Sequence, residues 1–258
     1  MGYQCLLTAL PTLSFDTPLP KPFDTLTKQI EEALSKKDIK QLHILQINAQ
    51  HPAFSKTIET FQDDITQQPD WWDDAITKLS NQNLQLQIMY LYAQGKLSCN
   101  EPSIPEIPAL PLTQPCPFIK KWFTFNMNVN NIIVATICRR HNLDSDRHII
   151  GDNEVAQNLK SNKTLTDFGL NGLIDYIDNI LHIAENSDLL QRERYIDKLR
   201  FEWLDEQTRF SYFELANVLS FFLKMQIIDR WSQLTNEKGT STFQNIVNDM
   251  KRSINLDV

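Results

Sequence analysis

Residues 201–250, FEWLDEQTRFSYFELANVLSFFLKMQIIDRWSQLTNEKGTSTFQNIVNDM, contain no proline. Phe210, Phe213, Ala216, Val218, Leu219, Phe222, Leu223, Ile227 and Trp231 recur in it at three-and-four spacing. That period gathers them on one wide face of a helix, whereas a strand would need a period of two. The spacing predicts a continuous helix of about six turns beginning near Phe210. Asn217 falls within its apolar face and Glu214 beside it.

The remainder of the chain reads in the same way. Three prolines at 18, 20 and 22 give an extended entry to an amphipathic helix marked by Phe23, Leu26, Ile30 and Leu34. Residues 35–38 read as a turn, with Asp38 capping a second helix that carries Ile39, Leu42 and Leu45. Further short helices are expected around Phe54, Ile58 and Phe61, around Trp71, Trp72, Ile76 and Leu79, and over residues 84–97. Residues 99–117 hold six of the twelve prolines and no glycine, so a semi-rigid connector is expected there. The chain thus divides into an N-terminal helical half, 1–98, the connector, 99–117, and a C-terminal helical half, 118–258. The second half opens with a long helix over 118–141, followed by a loop, a short helix capped by Asp152 or Asn153, and helices over 173–184 and 189–203. The only stretch with any β alternation is 3–8. With 41% hydrophobic and 22% charged residues and only six glycines, the reading is an all-α globular protein.

Charge and motif content exclude several classes of function. A net charge of −7 opposes a chain built to coat nucleic acid. No apolar run approaches the ~20 residues of a membrane-spanning helix. The opening MGYQCLLTALP lacks a basic leader, and the four scattered cysteines form no CxxC pair, so a cytoplasmic protein, at most peripheral at the inner face of the cell membrane, is expected. No glycine-rich phosphate loop is present, and Asp167-Phe168-Gly169 lacks every companion motif of a kinase. Cys138 with His141 forms a candidate nucleophile pair, and His141, Asp144, Asp146 and His148 a candidate metal loop. A buried thiol and a loop of capping residues are the plainer readings of each. No cofactor is expected.

Three groups of residues point to contacts instead of chemistry. Arg139, Arg140 and Arg147 cluster at the end of the 118–141 helix, where they complement its dipole or meet an acidic partner. Trp71 and Trp72 are adjacent and cannot both face one core, which leaves one for a partner. Asn128-Val129-Asn130-Asn131-Ile132-Ile133 echoes Glu214-Leu215-Ala216-Asn217-Val218-Leu219, each after an aromatic cluster and each placed mid-helix. Asn128, Asn131, Glu214 and Asn217 are therefore expected to register neighbouring helices through hydrogen bonds.

The opening Tyr3-x-x-Leu6-x-x-x-Leu10-Pro11-x-Leu13-x-Phe15 resembles the start of an uncharacterised bacterial family encoded in V/A-type rotary ATPase operons. The helices bearing Asn131 and Asn217 resemble the helical-hairpin repeats of the V/A-type ATPase C subunit, subunit d in eukaryotes. The resemblance implies a multi-helix bundle of hairpins and a non-catalytic subunit or assembly factor, coupling the central stalk to the membrane ring. Its partners would be the stalk and ring subunits. A free-standing helical scaffold that binds a partner helix is the alternative, with a Cys/His or metal-dependent enzyme behind it.

Overall fold

The computed structural model describes residues 3–46, 115–146, 148–186 and 188–233. The expected helices between 47 and 98, the Trp71-Trp72 pair, Arg147 and all of the proline-rich connector but its last three residues lie outside the described set. Among the described residues there are eight helices and no strand: α1 (Gln4–Ala9), α2 (Phe23–Ala33), α3 (Lys36–Gln46), α4 (Pro117–Arg140), α5 (Glu154–Ser161), α6 (Ile177–Glu185), α7 (Leu189–Thr208) and α8 (Leu215–Gln233). The protein is all-α in these residues. None of these helices is long and apolar enough to cross a membrane. The chain forms two compact units, 1–34 with 197–258, and 35–196, and the boundary between them falls inside α7.

In the unit formed by 35–196, α4 is the organising element. Proline at its first position suits a helix start, where no backbone N–H is required. Every side chain from Phe125 through Thr136 is buried, so α4 carries no polar face and behaves as a central core helix. It packs against α6 and α5. Phe125 meets the Tyr176 ring edge-on at 5.2 Å, and burial pushes the Tyr176 hydroxyl up to about 12. The Gln41 side chain on α3 accepts the Cys116 backbone N–H at 2.7 Å and so fixes the entry to α4. The helix ends in a Schellman motif: Leu143 N–H donates to Cys138 C=O at 2.8 Å and Asn142 N–H to Arg139 C=O at 3.3 Å. Asn142 takes the left-handed conformation, φ 55°, that this stop requires.

In the other unit α2 packs on α8. Leu26, Ile30, Val218, Leu219, Phe222 and Met225 are essentially inaccessible to solvent. Phe23 tilts against Phe222 at 5.9 Å, and Phe15 meets Phe201 edge-on at the same distance.

Three expectations about local structure are corrected. Residues 4–8, where the sequence shows some alternation, are not a strand but belong to α1, with Tyr3 at its N-cap and Leu6 buried. Ser35, not Asp38, caps α3: its hydroxyl accepts the Asp38 N–H at 3.2 Å, the N-cap half of a capping box, and donates to the Asp38 carboxylate at 2.7 Å. The helix expected from Phe210 begins only at Leu215.

The α4 core supplies a direct test. Asn131 is fully buried; its amide donates to Ile150 C=O at 2.7 Å, and its oxygen accepts Ile150 N–H at 2.9 Å. The neighbouring Asn130 has a buried amide nitrogen with no partner. Asn131→Leu orphans two backbone groups and should cost roughly 2–4 kcal/mol, whereas Asn130→Leu removes an existing orphan and should be near neutral or stabilising. Urea unfolding of both variants checks this; equal losses would contradict the assignment.

Candidate functional site

The polar groups expected to register helices act mostly on loops and helix starts. Asn131 clamps Ile150 in the extended approach to α5. Asn128 accepts the Asn153 amide at 2.8 Å, and Asn153 in turn accepts Ala156 N–H at 2.9 Å as the cap of α5. The side chain of Asn128 thus sets where α5 begins. Asn153 is one of the two caps legible in the sequence.

Glu214 and Asn217 are not mid-helix, because α8 starts at Leu215 and Asn217 lies in its first turn. Asn217 gathers the whole α7–α8 connection. Its oxygen accepts Glu214 N–H at 3.2 Å and the Ser211 hydroxyl at 3.3 Å; its amide donates to Ser211 C=O at 2.9 Å and Thr208 C=O at 3.5 Å. This is the third-position half of a capping box. Glu214 itself is exposed at the edge of the turn, its backbone N–H held by Asn217.

The arginines at the end of α4 also have internal tasks. Arg139 donates to Leu165 C=O at 2.6 Å and to Thr166 C=O at 3.1 Å, with its guanidinium 4.2 Å above the Phe168 ring. Arg140 donates to Ala184 C=O at the end of α6 at 3.2 Å. Arg192 has its pKa lowered, first by burial and also by the neighbouring Arg140 charge.

Residues 162–171 form the turn that Arg139 holds. Asp167 accepts Gly169 N–H at 3.0 Å and Asn171 N–H at 3.3 Å, which holds its carboxyl below the ordinary value. Phe168 is buried at φ 55° and Gly169 follows at φ 68°. At Gly169 an added Cβ would stand 2.8 Å from the Asn162 amide, so both space and backbone favour glycine. The triplet forms a turn held by the Asp167 carboxylate.

The structure gives the surroundings of Cys138 and of the Asp144 to Asp146 loop. Burial raises the Cys138 pKa above the ordinary thiol value, and the Asp144 charge adds to it. Lys163 bridges Asp144 and Asp146 at 3.0 and 2.8 Å, which draws both carboxylates to a cation from the chain itself. Among the described residues no three His, Cys, Asp or Glu side chains converge as metal ligands do.

What the structure leaves outward is the α7–α8 turn. Phe210 and Tyr212 are 84% and 74% exposed, and Phe213 is 36% exposed. For Phe210 and Phe213 the reason is the late start of α8, which takes them off the helical face that their spacing suggests. Phe213 adopts φ 58°, a strained conformation for a bulky residue. Its carbonyl accepts Tyr3 N–H at 2.7 Å, so the residue before α1 helps hold the turn. On the last turns of α7 and just past its end, immediately before the rings in the chain, Glu202, Asp205, Glu206 and Arg209 line an open cleft of about 330 Å³. Asp205 is neutralised by Lys224, whose ammonium also lies 5.0 Å from the Phe201 ring. The sequence carries no standard signal for this turn: the residue three before Asn217 is Glu214, not the Ser, Thr, Asp or Asn that favours a helix start.

Two outcomes follow from this geometry. Asn217→Ala should cost about 1 kcal/mol and speed amide exchange at Glu214 by about fivefold; unchanged exchange there would show that Asn217 does not hold the turn. Asp167 contributes stability that is complete above its unfolded value of 3.8 and lost as pH falls through its lower folded value. The thermal penalty of Asp167→Asn should therefore be larger at about pH 6 than at about pH 2. An equal penalty at both would count against a carboxylate role.

Neither curated proteins nor solved structures give a match to this chain. Residues 112–254 match the family model described as "Protein of unknown function (DUF2764)", and over that span, more than half its length, the chain belongs to this family.

Proposed function

We propose that this protein is a non-catalytic subunit or assembly factor of a V/A-type rotary ATPase, an adaptor of C-subunit-like helical hairpins that couples the central stalk to the membrane ring from the cytoplasmic side. The identification rests on resemblance: the opening motif from Tyr3 to Phe15 and the helices bearing Asn131 and Asn217. The observation that carries the adaptor character is the α7–α8 turn, which presents three aromatic rings to solvent while holding its backbone by hydrogen bonds from both ends. A monomer with no contact to make would gain by burying these rings.

Other features support the same reading. The α4 asparagines and arginines are engaged in holding helices, caps and turns in place, which suits a part that transmits force through rigid geometry. The opening motif also has a structural task, since Tyr3 ties down Phe213 and Phe15 packs on Phe201.

A tagged chain expressed at native level and purified from its own cells should bring down the ATPase catalytic and rotor subunits at one copy per complex by native mass spectrometry. A deletion strain should lose coupled ion pumping. Recovery of the chain alone, together with normal pumping in the deletion strain, would overturn the ATPase assignment and leave the free-standing scaffold.

A further inference from the structure

The α7–α8 turn carries enough chemistry to say what kind of partner it fits. Phe210, Tyr212 and Phe213 fall within four residues and share one exposed connection. Single exposed apolar residues are ordinary; three large rings so close together are not. Their backbone is ordered before any partner arrives, through Asn217 and through the Tyr3 N–H bond to Phe213. Such pre-ordering lowers the entropy lost on binding.

The chain leading into and out of the rings carries exposed carboxylates. Glu202 and Glu206 stand one turn apart along α7, and Glu214 lies at the other edge of the rings. Of the neighbouring cations, Lys224 is committed to Asp205, and Lys198 lies 4.0 Å from Glu202 in an exposed pairing of little strength. Among the described residues, the cation that lines the cleft is Arg209. Aromatic rings beside carboxylates suit an apolar surface bordered by positive charge. An anionic membrane would meet the same carboxylates, and a chain of net charge −7, with repulsion.

We propose that this turn docks a basic, aliphatic helix of a partner protein, with Leu or Ile side chains on Phe210 and Tyr212 and Lys or Arg side chains on Glu202 and Glu206. This rests on the adaptor reading and assigns the surface through which it works.

The test uses the full chain and a fluorescent peptide of about four helical turns, built of leucine and lysine at helical spacing, with a twin carrying glutamate for lysine. The lysine peptide should bind, and binding should weaken at least about tenfold in Phe210→Ser/Tyr212→Ser and severalfold in Glu202→Gln/Glu206→Gln, with a further loss at high salt. These positions are exposed, so both variants should keep the wild-type circular dichroism and unfolding midpoint. Should the serine variant fail to fold, the glutamine variant decides. Equal binding of the glutamate twin, or unchanged binding in a folded variant, would overturn the proposal. So would retention of the chain on vesicles of phosphatidylcholine with phosphatidylglycerol without any peptide binding, which would assign the rings to lipid. If the ATPase subunits copurify with the serine variant as with wild type, the assembly reading survives and the docking surface falls. Peptide binding without ATPase recovery would leave the docking surface standing and overturn the assembly reading.

Discussion

An asparagine inside a helix that is buried on every side must find partners for its side-chain amide, either on carbonyls of its own helix that accept a second hydrogen bond or on groups outside the helix. The unit formed by 35–196 depends on how α4 meets this demand. Asn131 takes both backbone groups of Ile150, and Asn128 takes the residue that caps α5. Two side chains on one helix therefore set the path of the chain from residue 150 into the next helix. A leucine could fill either volume, but it would not specify where that path runs. Asn126 and Thr136 follow the more local solution, donating to Trp122 C=O and Ile132 C=O on α4 itself. Asn130 is the exception and identifies the one described position where this polar core is incomplete.

In the other unit the equivalent constraint is a charge. Asp197 is 1% exposed, and its carboxylate is shared by Arg200 at 2.9 Å, Arg230, and the Trp231 indole N–H at 2.8 Å. Arg200 lies on α7 with Asp197, whereas Arg230 and Trp231 belong to the last turns of α8. A buried carboxylate with such partners adds little net stability over an apolar equivalent, but losing one partner leaves a desolvated charge. Its contribution is therefore to geometry. It joins α7 and α8 near the far end of α8, while Asn217 and the Ser220 hydroxyl, bonded to Leu204 C=O at 3.3 Å, join them near its start. The two helices are held at both ends by polar contacts with apolar residues between.

That arrangement explains what the sequence disclosed and what it did not. Apolar spacing marked α2, α4, α7 and α8, since burying a face enforces a period that survives in the sequence. It did not mark where α8 begins. Phe210 and Phe213 fit the helical period, and only the hydrogen bonds of Asn217 and the backbone at Phe213 remove them from the helix. Period is a property of a face, while a helix start is a property of a few local bonds. The same distinction separates Ser35 from Asp38: both are good caps by residue type, and only the fold decides which hydroxyl or carboxylate meets the free N–H groups. The internal echo of the two Asn-bearing segments failed for this reason also. Asn131 lies mid-helix and fixes a loop, whereas Asn217 lies at a helix start and fixes a turn. Arg139 illustrates the opposite error, a charge that reads as surface until its carbonyl partners on a turn 26 residues onward are seen.

The left-handed residues show where local strain is tolerated and why. Among the described residues, Asn142, Phe168 and Phe213 are the non-glycine positions with positive φ. Asn142 is inexpensive, because asparagine is the commonest substitute for glycine at a helix stop. Phe168 is bulky, but its ring is buried beneath Arg139, so packing and the guanidinium offset the backbone cost of about 1–2 kcal/mol. Phe213 has the same backbone cost without the same return, since its ring and those of Phe210 and Tyr212 remain partly or largely in water. Hydrogen bonds keep the strained carbonyl of Phe213 in place, yet nothing in the described residues recovers the unburied apolar area. A turn that is strained, pinned at both ends and poorly buried is less stable than the chain could make it. The missing stabilisation is of the kind a partner's apolar side chains would supply.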